Sequence, residues 1–319
     1  MIGWYVHHHG LGHLTRLLTV LPHVSAPVTV ASSLPRPDAL PDAVRWIRLE
    51  RDDLDEGSGH PALADPTASG VLHWAPVGHA GHAARMATIA ALLPHVDTMV
   101  VDVSVEVTAL ARLLGRRVVR FTQPGDRTDA PHALGDSLAH ATIAPWPGTS
   151  DAARTHVGGI SRFAERTRSA APRPGTVLAL GGGGRDDAWT ATIERAIAQT
   201  PDRSWSVLGH DRWERDPWDA LCAAEVVVTA AGQNAIADVA AVGARAVVLP
   251  RSRPFDEQVR TGDALRDRGL AVVVDDDAEP DWPALLDGAR ALEPDWSQWG
   301  VDGAAERAAR IIDASGSRA

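Results

Sequence analysis

Two glycine turns carry the residues whose types and spacing suit chemistry. Near the start of the chain, residues 7–16 read HHHGLGHLTR. Gly10 and Gly12 permit a tight turn after a strand, and His13 falls at the N-terminus of the helix that follows, where its ring can project above the strand ends. An imidazole there can take a proton at neutral pH. Asp102 ends the strand-like run TMVVD at 98–102. It is the candidate to accept a hydrogen bond from His13 and so raise its basicity, with Glu106, one turn into the next helix, as the rival. Asp102 is equally suited to capping the helix that starts at Ser104. The run of His7, His8, His9 and His13 invites a metal, but adjacent residues of a strand face opposite sides and no cysteine or carboxylate completes a set. No metal site is expected.

The second turn lies in residues 226–249, VVVTAAGQNAIADVAAVGARAVVL. A β-branched run, three small residues (Ala230, Ala231, Gly232) and a helix starting near Gln233 form a cradle that a ligand can approach closely. The free N–H groups and positive dipole end of that helix suit a diphosphate. Asn234 and Asp238 are four apart and share a helix face. Asp238, one turn below the helix start, is placed to accept hydrogen bonds from ribose hydroxyls. The plain alternative is an ordinary crossover with a solvated aspartate. A further run, GGGGRDD at 181–187, also turns from strand to helix and exposes N–H groups to phosphate. It lacks the Lys-Ser/Thr of a P-loop and the spacing of a dinucleotide fingerprint. The DxD-like runs at 53–55 and 275–277 read as solvated loops.

The elements that must position these residues alternate between strand and helix. Strands are expected at 2–7, 28–31, 44–49, 98–102, 117–121, 141–144, 176–180, 226–229 and 271–274, with helices at 80–93, 104–115, 187–199 and about 302–314. The helix at 80–93 is apolar on most faces, which suits packing, a partner or a membrane surface. A long polar segment, 51–79, inside a compact domain is the kind that contacts a substrate or moves. At 319 residues and 45% apolar content the chain is long enough for two ordinary domains, each with a real core. A net charge of −10 argues against a nucleic-acid partner. Every cationic side chain is arginine, and the single Cys222 excludes an internal disulfide. No stretch of eighteen apolar residues and no signal peptide occur, so a soluble cytoplasmic protein is expected.

Taken together, Gly232, Asp238, Gly243, Pro250, the Asp256–Glu257–Gln258 triplet, Leu265 and Gly269 resemble the donor-binding half of GT-B glycosyltransferases. The nearest likeness is family 28, which includes the peptidoglycan N-acetylglucosaminyltransferase group. G-x-G-H at 10–13 is similar to the acceptor loop of the same enzymes. Two departures stand out: the family usually has Glu where Asp238 stands, and often Asn-Ala where Thr261 and Gly262 stand. The resemblance implies an α/β chain of GT-B architecture, two Rossmann-like domains with parallel sheets facing an interdomain cleft. Residues 1–162 would bind acceptor, 163–174 would link, 175–301 would bind nucleotide sugar, and 302–319 would pack back on the first domain. It implies transfer of a sugar from a nucleoside-diphosphate sugar, UDP-linked by expectation, to an acceptor hydroxyl. In that scheme His13 is the base; Arg162 neutralises the diphosphate with Gly182, Gly183, Gly232, Gln233 and Asn234; and Asp256, Glu257 and Gln258 reach the donor sugar. No cofactor or essential metal is expected, and the acceptor is lipid-linked, a polysaccharide or a small molecule, with peripheral membrane contact allowed. G-H-x-x-R at 12–16 also resembles nucleotide-sugar hydrolases of the same architecture. An epimerase and a catalytically silent nucleotide-binding protein complete the alternatives.

Overall fold

A computed structural model describes residues 1–53, 65–168, 170–182, 184, 186–209, 212, 214–275 and 280–316. The chain divides into two compact units. The first comprises residues 1–123, 127–157 and 305–319; the second comprises 124–126 and 158–304.

In unit 1 the elements run β1 (Ile2–Tyr5), α1 (Gly12–Val20), β2 (Val28–Ser32), β3 (Arg45–Arg48), α2 (Ala80–Leu92), β4 (Thr98–Asp102), α3 (Val105–Leu113), β5 (Arg117–Phe121), α4 (Ala130–Leu138), β6 (Ala141–Ala144) and β7 (Thr155–His156). The sheet is wholly parallel, in the order β3-β2-β1-β4-β5-β6-β7. Strands buried on both faces read as apolar runs, as the VTVAS of β2 and TMVVD of β4 do. Gly3 stands in the centre of this sheet because a Cβ there would lie 2.6 Å from the Met99 sulfur. Neighbours β1 and β4 mark the place where the strand order reverses, the crevice in which open α/β sheets bind ligands.

Unit 2 runs β8 (Thr176–Leu180), α5 (Asp187–Gln199), β9 (Ser204–Leu208), α6 (Trp218–Ala223), β10 (Val226–Ala230), α7 (Gln233–Val242), β11 (Ala246–Leu249), α8 (Glu257–Asp267), β12 (Val272–Val273) and α9 (Trp282–Ala291). Its parallel sheet has the order β12-β11-β10-β8-β9, so the reversal falls between β8 and β10. The two-residue period of the strands divides the core. Val227 and Val248 face one cluster with α7, Trp296 and Trp299, while Val226, Val228 and Val247 face another with α5 and α9.

The units change over at 157/158, where the linker was expected at 163–174. Those linker residues belong to unit 2 because they pack there: Phe163 is buried against Trp218, and Arg168 Nη2 donates to the Cys222 carbonyl at 2.6 Å. The last helix, α10 (Ala304–Gly316), clusters with unit 1 from residue 305 onward. Asp313 accepts from the Ser25 N–H, Thr98 Oγ1 donates to the Ser315 carbonyl, and Arg307 Nη2 donates to the Val157 carbonyl at 2.7 Å. Helix α2 buries Arg85, Ile89 and Leu92 in unit 1. No helix among the described residues is long and apolar enough to cross a membrane.

Candidate functional site

The chemistry-bearing residues of unit 1 gather at the β1/β4 reversal. Gly10, at φ +73°, makes the turn that only a glycine makes without strain, and Gly12 opens α1. His13 follows on the first turn of that helix. Its Nδ1 lies 3.0 Å from Asp102 Oδ1, the charged partner that the fold sets against the ring. Asp102, the last residue of β4, is fully buried. The same Oδ1 receives Arg16 Nη1 at 2.6 Å, from a buried guanidinium one turn along α1. Burial alone would raise the Asp102 carboxyl, but Arg16 and His13 outweigh it and hold the group below the usual carboxylate range.

Capping of α3 falls to Ser104, whose Oγ accepts from the Val107 N–H, so Asp102 does not serve as that cap. Glu106 is turned elsewhere. It accepts from the backbone N–H groups of His73 (2.8 Å) and Trp74 (3.0 Å) and from Ser104 Oγ, and thereby pins the end of the long polar segment to α3. Between Asp102 and Ser104, Val103 adopts φ +65°. A β-branched residue there is a strained outlier, and strain of this kind collects beside functional groups.

The rings of the histidine run lie against one another, with His7 4.9 Å from His8, 4.7 Å from His9 and 5.7 Å from His13 between ring centres. Burial lowers His7 to about 3 and His8 to about 4, so both rings are neutral at physiological pH. Among the described residues, the groups that bring possible ligand atoms within 4.8 Å of one another include, inside unit 1, His8, His9 and Asp53, and His73, Asp129 and His132. In each an arginine donates to one ring nitrogen, Arg85 to His8 Nδ1 and Arg127 to His132 Nε2, both at 3.1 Å. Since arginine only donates, the proton of the neutral ring sits on the other nitrogen, facing a carboxylate. His132 Nδ1 thus hydrogen-bonds Asp129, and His8 Nε2 faces Asp53 at 3.6 Å. Of the expected DxD-like loops, Asp53 pairs with Arg51 and Asp275 with Arg266; the rest of both runs lies outside the described residues.

In unit 2 both glycine turns open at the β8/β10 reversal. Gly182 has open space where a side chain would be, while Gly183 lies outside the described residues. Gly232 is the N-cap of α7 and supplies no side-chain cap; Gln233 and Asn234 stand on the first turn, partly exposed. Asp238 is only 3% exposed. Ser161 Oγ donates to its Oδ1 at 2.7 Å and Arg162 Nε to its Oδ2 at 3.2 Å. Despite these partners, burial dominates and pushes the carboxyl up to about 6. Both oxygens are engaged and covered, so Asp238 holds Arg162 and presents no bare carboxylate, in contrast to the ribose contact expected of it. Arg162 also donates to the Arg215 carbonyl at 2.9 Å and lies over the Phe163 ring. Ser161 had no signal in the sequence beyond its place next to Arg162.

Gln258 is likewise occupied. Its Oε1 accepts from the Arg251 N–H at 3.0 Å, and Arg251 Nη2 reaches Asp186, the N-cap of α5, at 2.8 Å. The turn after β11 is thus tied to the turn after β8. Asp256 and its predecessor Phe255 take positive φ, 55° and 64°, at the start of α8. The Asp126 N–H donates to the Phe255 carbonyl at 2.9 Å, and Gly125, at φ +113°, admits that carbonyl where a Cβ would meet it at 2.1 Å. This contact over-determines a backbone that would otherwise relax, and it sets where Asp256 and Glu257 stand.

No protein-family model matches the chain, and no curated protein matches it. Solved structures do. MurG of Acinetobacter baumannii is 18% identical with a TM-score of 0.65, covering 98% of this chain and 99% of its own. The glycotransferase of kitacinnamycin is 16% identical with a TM-score of 0.66, covering 99% of each chain. The glycosyltransferase SsfS6 of Streptomyces sp. SF2575, complexed with thymidine diphosphate, is 14% identical with a TM-score of 0.59, covering 98% of this chain and 94% of its own. The chain therefore has the two-domain α/β fold of GT-B glycosyltransferases and resembles the MurG group.

Proposed function

We propose that this protein is a glycosyltransferase that moves a sugar from a nucleoside-diphosphate sugar, UDP-linked by preference, to an acceptor hydroxyl. The observation that carries the reading is the contact of His13 Nδ1 with the buried Asp102 carboxylate at 3.0 Å, on a chain with the GT-B fold. Asp102 holds the imidazole in one orientation and favours the tautomer with its proton on Nδ1. Nε2 is left as a lone-pair acceptor. The acceptor hydroxyl gives its proton to Nε2 as its oxygen forms a bond to the anomeric carbon. The bond from that carbon to the diphosphate oxygen breaks, and the nucleoside diphosphate leaves.

The leaving charge is met in unit 2 by the start of α7 at Gly232 and by Arg162, itself fixed by Asp238. Gly182 lets the backbone approach the donor, and the first turn of α8, with Asp256 and Glu257, takes the donor sugar. Arginine and helix N–H groups supply the neutralisation here, so no metal enters this scheme. The protein works in the cytoplasm.

The test is turnover of a panel of nucleoside-diphosphate sugars by the purified protein, with and without a pool of candidate acceptors. The expected result is acceptor-dependent release of nucleoside diphosphate, lowered roughly a hundredfold or more in His13→Ala with donor affinity nearly intact. Rapid stoichiometric release of free sugar without acceptor, lost in His13→Ala, would replace transfer by hydrolysis.

A further inference from the structure

We propose that Arg16 is the residue that keeps His13 a base. Three groups meet at one oxygen: Asp102 Oδ1 lies 3.0 Å from His13 Nδ1 and 2.6 Å from Arg16 Nη1. The carboxylate and the guanidinium are both buried, and the imidazole is largely covered. His13 and Arg16 are three apart on α1 and share a face, so a single helix delivers both to the end of β4. Arg16 also lies over the Phe121 ring, 5.3 Å from its centre, which fixes the guanidinium on the floor of the site.

Charge decides the consequence. A lone buried carboxylate beside an imidazole stabilises the imidazolium, and an imidazolium cannot accept the proton of a hydroxyl. Arginine stays protonated and balances that carboxylate at contact distance. With Arg16 in place, Asp102 and Arg16 sum to zero and the neutral ring is the balanced state. Adding a proton to His13 then creates a net positive charge in a covered site. Among the described residues, the other groups near the ring do not restore an attraction for that proton. His7, with ring centres 5.7 Å apart, is neutral, and Glu106 is spent on the backbone of residues 73 and 74. Asp102 thus orients the ring, while Arg16 removes the electrostatic side effect of that orientation.

That Arg16 serves catalysis rests on the reading of His13 as acceptor base, but the charge balance is testable without substrate. The His13 imidazole signal, assigned by its loss in His13→Gln, is followed by NMR against pH. Arg16→Met is expected to hold the ring proton to a pH higher by about 1–3 units than wild type. Arg16→Lys, which keeps the charge, should titrate as wild type does. If Arg16→Met does not fold, Arg16→Met combined with Asp102→Asn removes both members of the ion pair and is expected to titrate with wild type, since the two charges cancel. Superposition of Arg16→Met on wild type, or a drop of a unit or more in the double variant, would overturn the proposal. The kinetic counterpart is an acid limb of kcat/KM that moves up in Arg16→Met with donor KM unchanged. An NMR shift with no sugar transfer in any variant would leave the charge balance standing and sink only the transferase reading.

Discussion

Asp238 offers the sharpest test of the energetics of unit 2. Burial lifts its carboxyl from 3.8 to about 6 even though Arg162 lies at 3.2 Å and Ser161 at 2.7 Å. A folded-state value above the unfolded one means that the native protein binds the proton more tightly. The stability from this group is therefore fully present below about pH 4 and is lost as pH rises through about 6. A shift of about two units corresponds to about 3 kcal/mol, of which about 2 kcal/mol falls between pH 4.5 and 8. Asp238→Asn keeps the shape and cannot titrate; its oxygen can still accept from Arg162, while its NH2 donates to the Ser161 hydroxyl. The difference in unfolding free energy, wild type minus variant, is expected to fall by about 2 kcal/mol from pH 4.5 to 8. That corresponds to about 2–4 °C of melting temperature for each kcal/mol in a domain of 150–250 residues. Thermal and urea unfolding of both proteins across that range supply the measurement. A difference that stays flat within about 0.5 kcal/mol, or that grows with pH, would show that Arg162 and Ser161 outweigh burial and that the carboxylate is ionised at little cost.

Further outcomes follow from the geometry of unit 2. Millimolar UDP or thymidine diphosphate should raise the melting temperature, and Arg162→Ala should remove most of that rise; an unchanged melting temperature with every nucleoside diphosphate would end the nucleotide-sugar reading. Gly158 stands at φ +84° with the Gly300 carbonyl 2.1 Å from where a Cβ would be, so Gly158→Ala should lower stability by at least about 2 kcal/mol. Gly182→Ala meets no atom within 4 Å and should leave stability within about 0.5 kcal/mol of wild type while weakening the donor. Equal melting temperatures for the two glycine variants, or donor binding untouched by Gly182→Ala, would count against these assignments.

What the sequence determined by itself is local. The runs at 98–102 and 226–229 read as strands, the second of the kind a buried parallel sheet requires. The glycines after residues 7, 180 and 230 announced strand-to-helix turns, and they placed His13 and Gly232 at helix starts. These features depend on spacing and on the conformational freedom of one residue type, which neighbours along the chain decide. The tertiary structure decided the partners. Arg162 and Asp238 lie 76 residues apart, and read separately they suggest a phosphate ligand and a ribose ligand; the fold makes them each other's partner and buries the carboxylate. Arg16 and Asp102 lie 86 residues apart, and only the adjacency of β1 and β4 puts a cation onto the carboxylate that faces His13. Glu106 and Asp102 were indistinguishable as orienting groups until the turn at Val103 directed one to His13 and the other to the backbone of residues 73 and 74. A charged side chain reveals its type in the sequence. Its protonation and role depend on burial and on the opposite charge that strand order brings beside it, and that order is a property of the whole sheet.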